Sequence, residues 1–218
     1  MRIGIFGGTF DPPHVGHLIA AADAADALSL DQILFIPAAA QPLKVGRAVA
    51  SPDQRLAMTT LMAGDDPRLA VDAIEIERAG LSYTVETVSE LTRRSPGHEW
   101  YVIVGADVVQ SFGRWRDPLG ILKMAGLVIL RRGDIDPGSL AGWMPRDEAG
   151  RLPAYQILAS RRVDVTSTEV RARVSAGRSI RGFVPDAVQS YIERGGLYRN
   201  GNGVGNGFGE GDAQYADQ

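Results

Sequence analysis

Gly7-Gly8-Thr9-Phe10-Asp11-Pro12-Pro13-His14-Val15-Gly16-His17-Leu18 is the stretch that decides the fold. In front of it stands a short apolar run, Ile3-Gly4-Ile5-Phe6, and behind it an alanine-rich run with helical spacing. The order this predicts is strand, glycine turn, helix. Two consecutive glycines let a backbone approach a ligand closely. A helix start offers N–H groups and the positive end of a dipole, which suit a phosphate. His14 and His17 are three residues apart, so they share one face of the helix start, with Gly16 keeping the surface between them open. A nucleotide phosphate is the guest this pattern suits. Zinc is a poorer fit: it takes three or four ligands, and the chain has three histidines and no cysteine, with His98 standing apart in a Pro96-Gly97 turn. Either histidine alone reads as part of an ordinary helix start. Together with Thr9, Asp11 and the double glycine they read as a phosphate site.

A second segment, Val165-Thr166-Ser167-Thr168-Glu169-Val170-Arg171, has chemistry of the same kind. Thr166 and Glu169 form a capping-box pattern, so a helix is expected to start here. The hydroxyls of Ser167 and Thr168 and the guanidinium of Arg171 can converge on phosphate oxygens, and the planar fork of Arg suits that task. An ordinary capped surface helix with a solvated arginine has the same pattern, so this segment is informative only beside the first.

Taken together, the two segments resemble the signatures of the HxGH nucleotidyltransferases, adenylyl- and cytidylyltransferases on a Rossmann-like fold. The second signature of that superfamily has the form ISSTxxR; here Val165 and Thr166 replace its first two residues. Within it the chain resembles the bacterial nicotinate-nucleotide adenylyltransferases along nearly its whole length before the tail. The agreeing pieces are residues 7–17, Lys44 after an aliphatic loop, Gly80-Leu81-Ser82-Tyr83-Thr84, Gly105-Ala106-Asp107, Trp115, Arg131-Arg132, the Thr166 to Arg171 motif and Gly196-Leu197-Tyr198. The loop departs from the family's usual Pro-Pro-His-Lys-like run, since Ala40-Gln41-Pro42-Leu43-Lys44 has no histidine.

The resemblance implies transfer of AMP from ATP to nicotinate mononucleotide, giving deamido-NAD and pyrophosphate. It implies that His14, His17, Lys44 and Arg171 are the catalytic set. Gly7, Gly8, Thr9, Phe10, Gly16, Ser167 and Thr168 fall on the ATP side. Thr84, Gly105, Asp107, Trp115, Arg116 and Arg132 fall on the nicotinate-nucleotide side. Trp115 offers a face to a pyridinium ring, or is a core tryptophan at a helix end. Asp107 bonds ribose hydroxyls or caps its helix. Mg²⁺ is expected on the ATP phosphates, with no dedicated carboxylate cage in the protein. The rival acceptors are nicotinamide mononucleotide and phosphopantetheine. The rival class is a nucleotide-binding regulator without catalysis, against which intact His14, His17 and Arg171 argue.

Composition agrees. The chain has 218 residues, 44% of them hydrophobic, and a formal net charge of −3. That is enough for one domain with a core, and the acidic balance gives no field to draw nucleic acid. There is no apolar run of about 18 residues, so no membrane helix is expected, and the N-terminal run is too short for a signal peptide. The absence of cysteine fits the cytoplasm. A homo-oligomer is left open.

Strands are expected at 2–6, 33–36, 70–76, 100–104, 127–130 and 154–158. Helices are expected at 16–28 (Asp23 and Asp26 on its wet side), from Ser51-Pro52, and at 84–94, 107–112, 166–176 and 185–194. Residues 38–50 and 132–152 read as irregular. Strands joined through helices imply an α/β fold, a Rossmann-like parallel sheet covered on both faces. Its ligands are expected beyond the carboxyl ends of the strands. Residues 1–199 are assigned to the domain. Residues 200–218, with glycine at every second position from 201 to 211, are assigned to a disordered tail.

Overall fold

The computed structural model describes residues 1–42, 49–131 and 137–199. The elements run β1 (Arg2–Gly8), α1 (Val15–Leu28), β2 (Gln32–Pro37), α2 (Pro52–Ala63), β3 (Leu69–Val71), α3 (Ile74–Arg78), α4 (Thr84–Arg94), β4 (Glu99–Gly105), α5 (Ala106–Phe112), α6 (Pro118–Met124), β5 (Gly126–Arg131), α7 (Pro137–Ala141), β6 (Tyr155–Ala159), α8 (Ser167–Ser175) and α9 (Asp186–Gly195). The six strands form one sheet in the order β3-β2-β1-β4-β5-β6, and every pairing is parallel. This is the expected Rossmann-like sheet.

The strand sequences explain why helices must cover both faces. Residues alternate between two apolar layers: Ile33 and Phe35 of β2, Ile103 of β4 and Val128 and Leu130 of β5 face α1, α2, α8 and α9. Ile3 and Ile5 of β1, Val102 and Val104 of β4 and Leu127 and Ile129 of β5 face the layer of α3, α4, α5, α6 and α7. Each such side chain fully withdrawn from water contributes about 1.5–3 kcal/mol. The strand order reverses between β1 and β4. Pairing between the two strands ends with Ile5 opposite Val102, while the strands themselves run on to Gly8 and Gly105. The crevice of such a sheet opens at that point.

Four expectations need correction. The alternating run 70–76 is not one strand. β3 stops at Val71, where the Asp72 carboxylate accepts the Ile74 N–H at 2.8 Å and turns the chain into α3. Part of the span read as irregular at 132–152 is helical, in α7. Helix α6 was not expected; the Asp117 side chain caps it by accepting from Gly120 N at 2.9 Å, and Pro118 opens it. Asp23 is not on a wet face: its side chain is 12% exposed and accepts the Arg161 N–H at 2.8 Å. Lys44, Arg132 and the tail lie outside the described residues.

Candidate active site

The first motif leaves the carboxyl end of β1 and enters α1. At Gly7 an added Cβ would meet nothing within 4 Å, so the backbone is open to a ligand there. His14 is the N-cap residue of α1, in extended backbone conformation, and its amide donates to His17 Nδ1 at 3.1 Å. That bond sets the tautomer of a neutral His17: Nδ1 accepts, so the proton sits on Nε2, on the far side of the ring. The two imidazoles lie with centroids 3.8 Å apart and planes at 31°, and His14 is 5% exposed.

Two motif residues act differently from expectation. A Cβ at Gly16 would stand 3.0 Å from both Cε1 and Nδ1 of His14, so this glycine makes room for the His14 ring rather than merely leaving a surface open. Phe10 is 2% exposed and packs edge-on against Phe6, Phe35 and, at 5.0 Å, His17. Its side chain is therefore a core platform under His17. The helix-start amides are also partly spent: Val15 N donates to Phe183 O at 3.0 Å and His17 N to His14 O at 2.9 Å.

The second motif docks onto the first. α8 is capped as expected, with Thr166 Oγ1 accepting from Glu169 N at 3.1 Å. Ser167 Oγ donates to the Pro12 carbonyl at 2.8 Å, and Arg171 Nη1 donates to the Asp11 carbonyl at 2.6 Å. Arg171 Nη2 donates to Thr168 Oγ1 at 3.3 Å, which leaves the Thr168 proton for a ligand. The single Ser167 proton is committed to Pro12, so in this geometry Ser167 joins the motifs instead of reaching outward.

Beneath both motifs lies a polar knot that the sequence reading did not single out. Asp11 is 3% exposed; its carboxylate accepts Val49 N at 2.7 Å, Ala50 N at 3.2 Å and the Tyr198 hydroxyl at 2.7 Å. It stands 4.0 Å from the Arg171 guanidinium. Arg55 is 1% exposed and donates to the carbonyls of Ala50, Thr9, Ala38 and Ala39. Burial pulls the Arg55 pKa down, and the charge of Asp11 pulls it back up. Burial, with the Asp11 charge beside it, raises that of the Tyr198 hydroxyl, which stays a neutral donor. The knot ties the ends of β1 and β2, the start of α2 and the turn after α9 to one another.

On the other side of the crevice stand the residues expected for the acceptor. Thr84 is the first residue of α4, and Gly105 ends β4 and caps α5. Asp107 is exposed in the first turn of α5 and turns its carboxylate back over Gly105. Arg116 donates to Glu86 in the first turn of α4 at 2.8 Å and lies 4.8 Å over the Tyr83 ring, which brings it beside Thr84. Trp115 is half-buried with its ring 5.2 Å from that of Phe112, so core packing occupies part of its surface.

The cytidylyltransferase-like family model matches residues 5–173, from the first strand through both motifs. A nicotinate-nucleotide adenylyltransferase of Gemmatimonas aurantiaca is similar at 49% identity over 91% of this chain and 93% of the relative. One of Thermus thermophilus is 43% identical over 91% of this chain and 100% of the relative. The chain belongs to the nicotinate-nucleotide adenylyltransferase family. Among solved structures, the nicotinic acid mononucleotide adenylyltransferase of Plasmodium falciparum complexed with NaAD matches with a TM-score of 0.73. The match covers 90% of this chain and 97% of that one, at 16% identity. That likeness speaks for the fold. In the present member of the family, Gly196-Leu197-Tyr198 was the sequence signal that could have led to the knot, since it was among the agreeing pieces and ends in the residue that bonds Asp11. Arg55 had no such signal: on α2 it reads as one more polar helix residue until the fold closes over it.

Proposed function

We propose that this chain joins the phosphate of nicotinate mononucleotide to the α-phosphorus of ATP, forming deamido-NAD and releasing pyrophosphate, and that it does so in the cytoplasm. A phosphate oxygen of the acceptor attacks the α-phosphorus as the bond from that phosphorus to the pyrophosphate oxygen breaks. No covalent enzyme intermediate is required, so catalysis rests on positioning and on charge neutralisation. The observation that carries the reading is the locked pair of His14 and His17 at the carboxyl end of β1, with Arg171 hung across from α8 on the Asp11 carbonyl.

In this reading His17 Nε2 and His14 donate to the phosphates, with Thr9, Thr168, Arg171 and Lys44 as further donors. Each is worth about 3 kcal/mol in the transition state, by analogy with other preorganised donors. The acceptor side is formed by Thr84, Gly105, Asp107, Trp115, Arg116 and Arg132. Mg²⁺ bound to the ATP phosphates would supply charge neutralisation on the departing pyrophosphate. The donor set fits that arrangement, because the motifs present histidines, hydroxyls and a guanidinium to the phosphates, while the Asp11 carboxylate is occupied by Val49, Ala50 and Tyr198. Residues 1–199 are the working unit.

Pyrophosphate release from ATP and Mg²⁺ tests the proposal, with nicotinate mononucleotide, nicotinamide mononucleotide and phosphopantetheine compared as acceptors. The expected result is a strong preference for the nicotinate compound, loss of rate on chelation of Mg²⁺, and the same rate from a chain ending at Arg199. Preference for another acceptor overturns the acceptor assignment. No release with any of them overturns the reaction.

A further inference from the structure

The Ser-Tyr-Thr run at 82–84 contains a hydroxyl that turns away from the crevice. Ser82 Oγ accepts the Ala39 N–H at 2.9 Å, and Ser82 N donates to the Ala40 carbonyl at 2.8 Å. Residues 38–42, the loop leaving β2, are thereby laced to the turn that opens α4, with Ala40 and Leu81 bridged in parallel. Having accepted from Ala39, the Ser82 hydroxyl stands beside Glu75 and helps to hold its carboxyl down. Thr87 lies in the second turn of α4. It accepts from Arg78 Nη2 at 3.1 Å and donates to Glu75 Oε1 at 2.7 Å, in preference to the Tyr83 carbonyl at 3.4 Å.

Glu75 therefore receives the Thr87 proton, whose direction is dictated by the Arg78 N–H behind it, and has the Ser82 hydroxyl beside it. It is 7% exposed, on the short helix α3, and belongs to neither of the elements it joins. Burial pushes its carboxyl up, while the two hydroxyls and Arg78 pull it back down. The network continues outward: Arg78 Nε stands 3.7 Å from Glu86, which accepts from Arg116 at 2.8 Å. All the residues at the outer end of this chain lie around Thr84.

We propose that Glu75 is a positioning residue for the acceptor: through Ser82 and Thr87 it holds the turn at 80–84 and the first turns of α4 against the loop at 38–42. It touches no substrate. The inference rests on the acceptor side of the reading above.

The two sides of the weld are not equally free to move. The loop keeps a second anchor, because Arg55 holds the Ala38 and Ala39 carbonyls at 2.6 and 2.9 Å. When the Glu75 bonds fail it is the turn before α4 that shifts, and with it Thr84. The ATP side stays fixed by its own bonds among His14, His17, Asp11 and Arg171. A defect at Glu75 is thus a defect in acceptor binding.

Glu75→Gln tests this with little change of shape. The amide has one acceptor oxygen and an NH₂ donor, so it cannot serve both the Thr87 proton and the Ser82 hydroxyl as the carboxylate does. The expected result is a rise of about tenfold in KM for nicotinate mononucleotide, with KM for ATP within about twofold and kcat within about threefold of the parent. Ser82→Ala gives the same split, and the double variant is no worse than either single one, because both remove the same weld. Ser82→Ala also keeps the test decisive where Glu75→Gln does not fold. Equal rises in both KM values, an unchanged acceptor KM in Ser82→Ala, or additive losses in the double variant overturn the proposal. A parent chain that releases no pyrophosphate with nicotinate mononucleotide overturns the functional reading, and this inference with it. An active parent whose variants keep its acceptor KM overturns this inference alone.

Discussion

Replacing Gly16 by alanine should separate stability from catalysis. Gly16 is the second residue of α1, in a position where helical backbone suits any residue, so alanine carries no conformational penalty there. Alanine is favoured over glycine in helices by about 0.5–1 kcal/mol. For a domain of this size a gain of 1 kcal/mol raises Tm by about 2–4 °C. The added methyl, however, lands 3.0 Å from two atoms of the His14 imidazole. Carbon contacts are comfortable at about 3.5–4.0 Å, so the ring must withdraw by about 0.5–1 Å. It cannot turn aside easily, since it is 5% exposed and lies against the His17 ring at 3.8 Å. A displacement of about 1 Å in a positioned group costs about a hundredfold in rate. Steady-state pyrophosphate release and differential scanning fluorimetry on the same preparation read the two effects. The expected result is a kcat lower by about 10–100-fold with Tm within about 4 °C of the parent, since the strain of moving the ring offsets the helix gain. A Gly16→Ala enzyme with parental kcat would show that the His14 ring position is not critical, and the assignment of that ring to the phosphates would fall.

Two other changes follow from the same geometry. His17→Ala removes the Nε2 donor and the acceptor of the His14 amide. The expectation is a loss of about 10²–10³ in kcat with about 1 kcal/mol of stability, the worth of a helix cap; single-turnover rates and urea unfolding check it, and a turnover within threefold of the parent refutes it. Arg55→Met keeps the bulk of the side chain but strips donors from four carbonyls. Unsatisfied buried groups cost about 1–3 kcal/mol each, so unfolding free energy should drop by at least about 3 kcal/mol in urea titrations, and a drop below about 1 kcal/mol means that the carbonyls find other partners.

The parts of the molecule legible in the sequence are those whose cause is local. β1, the glycine turn and α1 follow from an apolar run, two glycines and spaced alanines. α2 follows from Ser51-Pro52, and Ser51 does accept from Gln54 N at 3.2 Å. α8 follows from Thr166 and Glu169. The misreading at 70–76 has an equally local cause. Ala70 to Ile76 alternates as a half-exposed strand would, which turns Glu75 toward water. The fold instead ends β3 at Val71 and buries Glu75 beside Ser82 and Thr87, residues that lie beyond the alternating run itself. Arg55 and Asp11 are of the same kind. A charged residue inside a core is unreadable from its own neighbourhood, because what makes it tolerable is supplied from elsewhere: from 38 to 187 positions away for Asp11, and for three of the four carbonyls on Arg55 from 16 to 46 positions away. Phe10 is the converse: it stands within the nucleotide motif, and its role as a platform follows only from Phe6 and Phe35 lying beneath it.

The bonds that unite the two motifs span most of the chain: 155 positions from Ser167 to Pro12, 160 from Arg171 to Asp11 and 187 from Tyr198 to Asp11. Contacts so distant along the chain form late, since the entropy of closing such loops must be met before they stabilise anything. During synthesis the His14 and His17 segment emerges well before its supports, which arrive only when α8, α9 and Tyr198 have followed. A polypeptide released early would carry the histidines without their scaffold. The seam between the two motifs thus makes the placement of the histidines depend on residues synthesised 155 and 160 positions later.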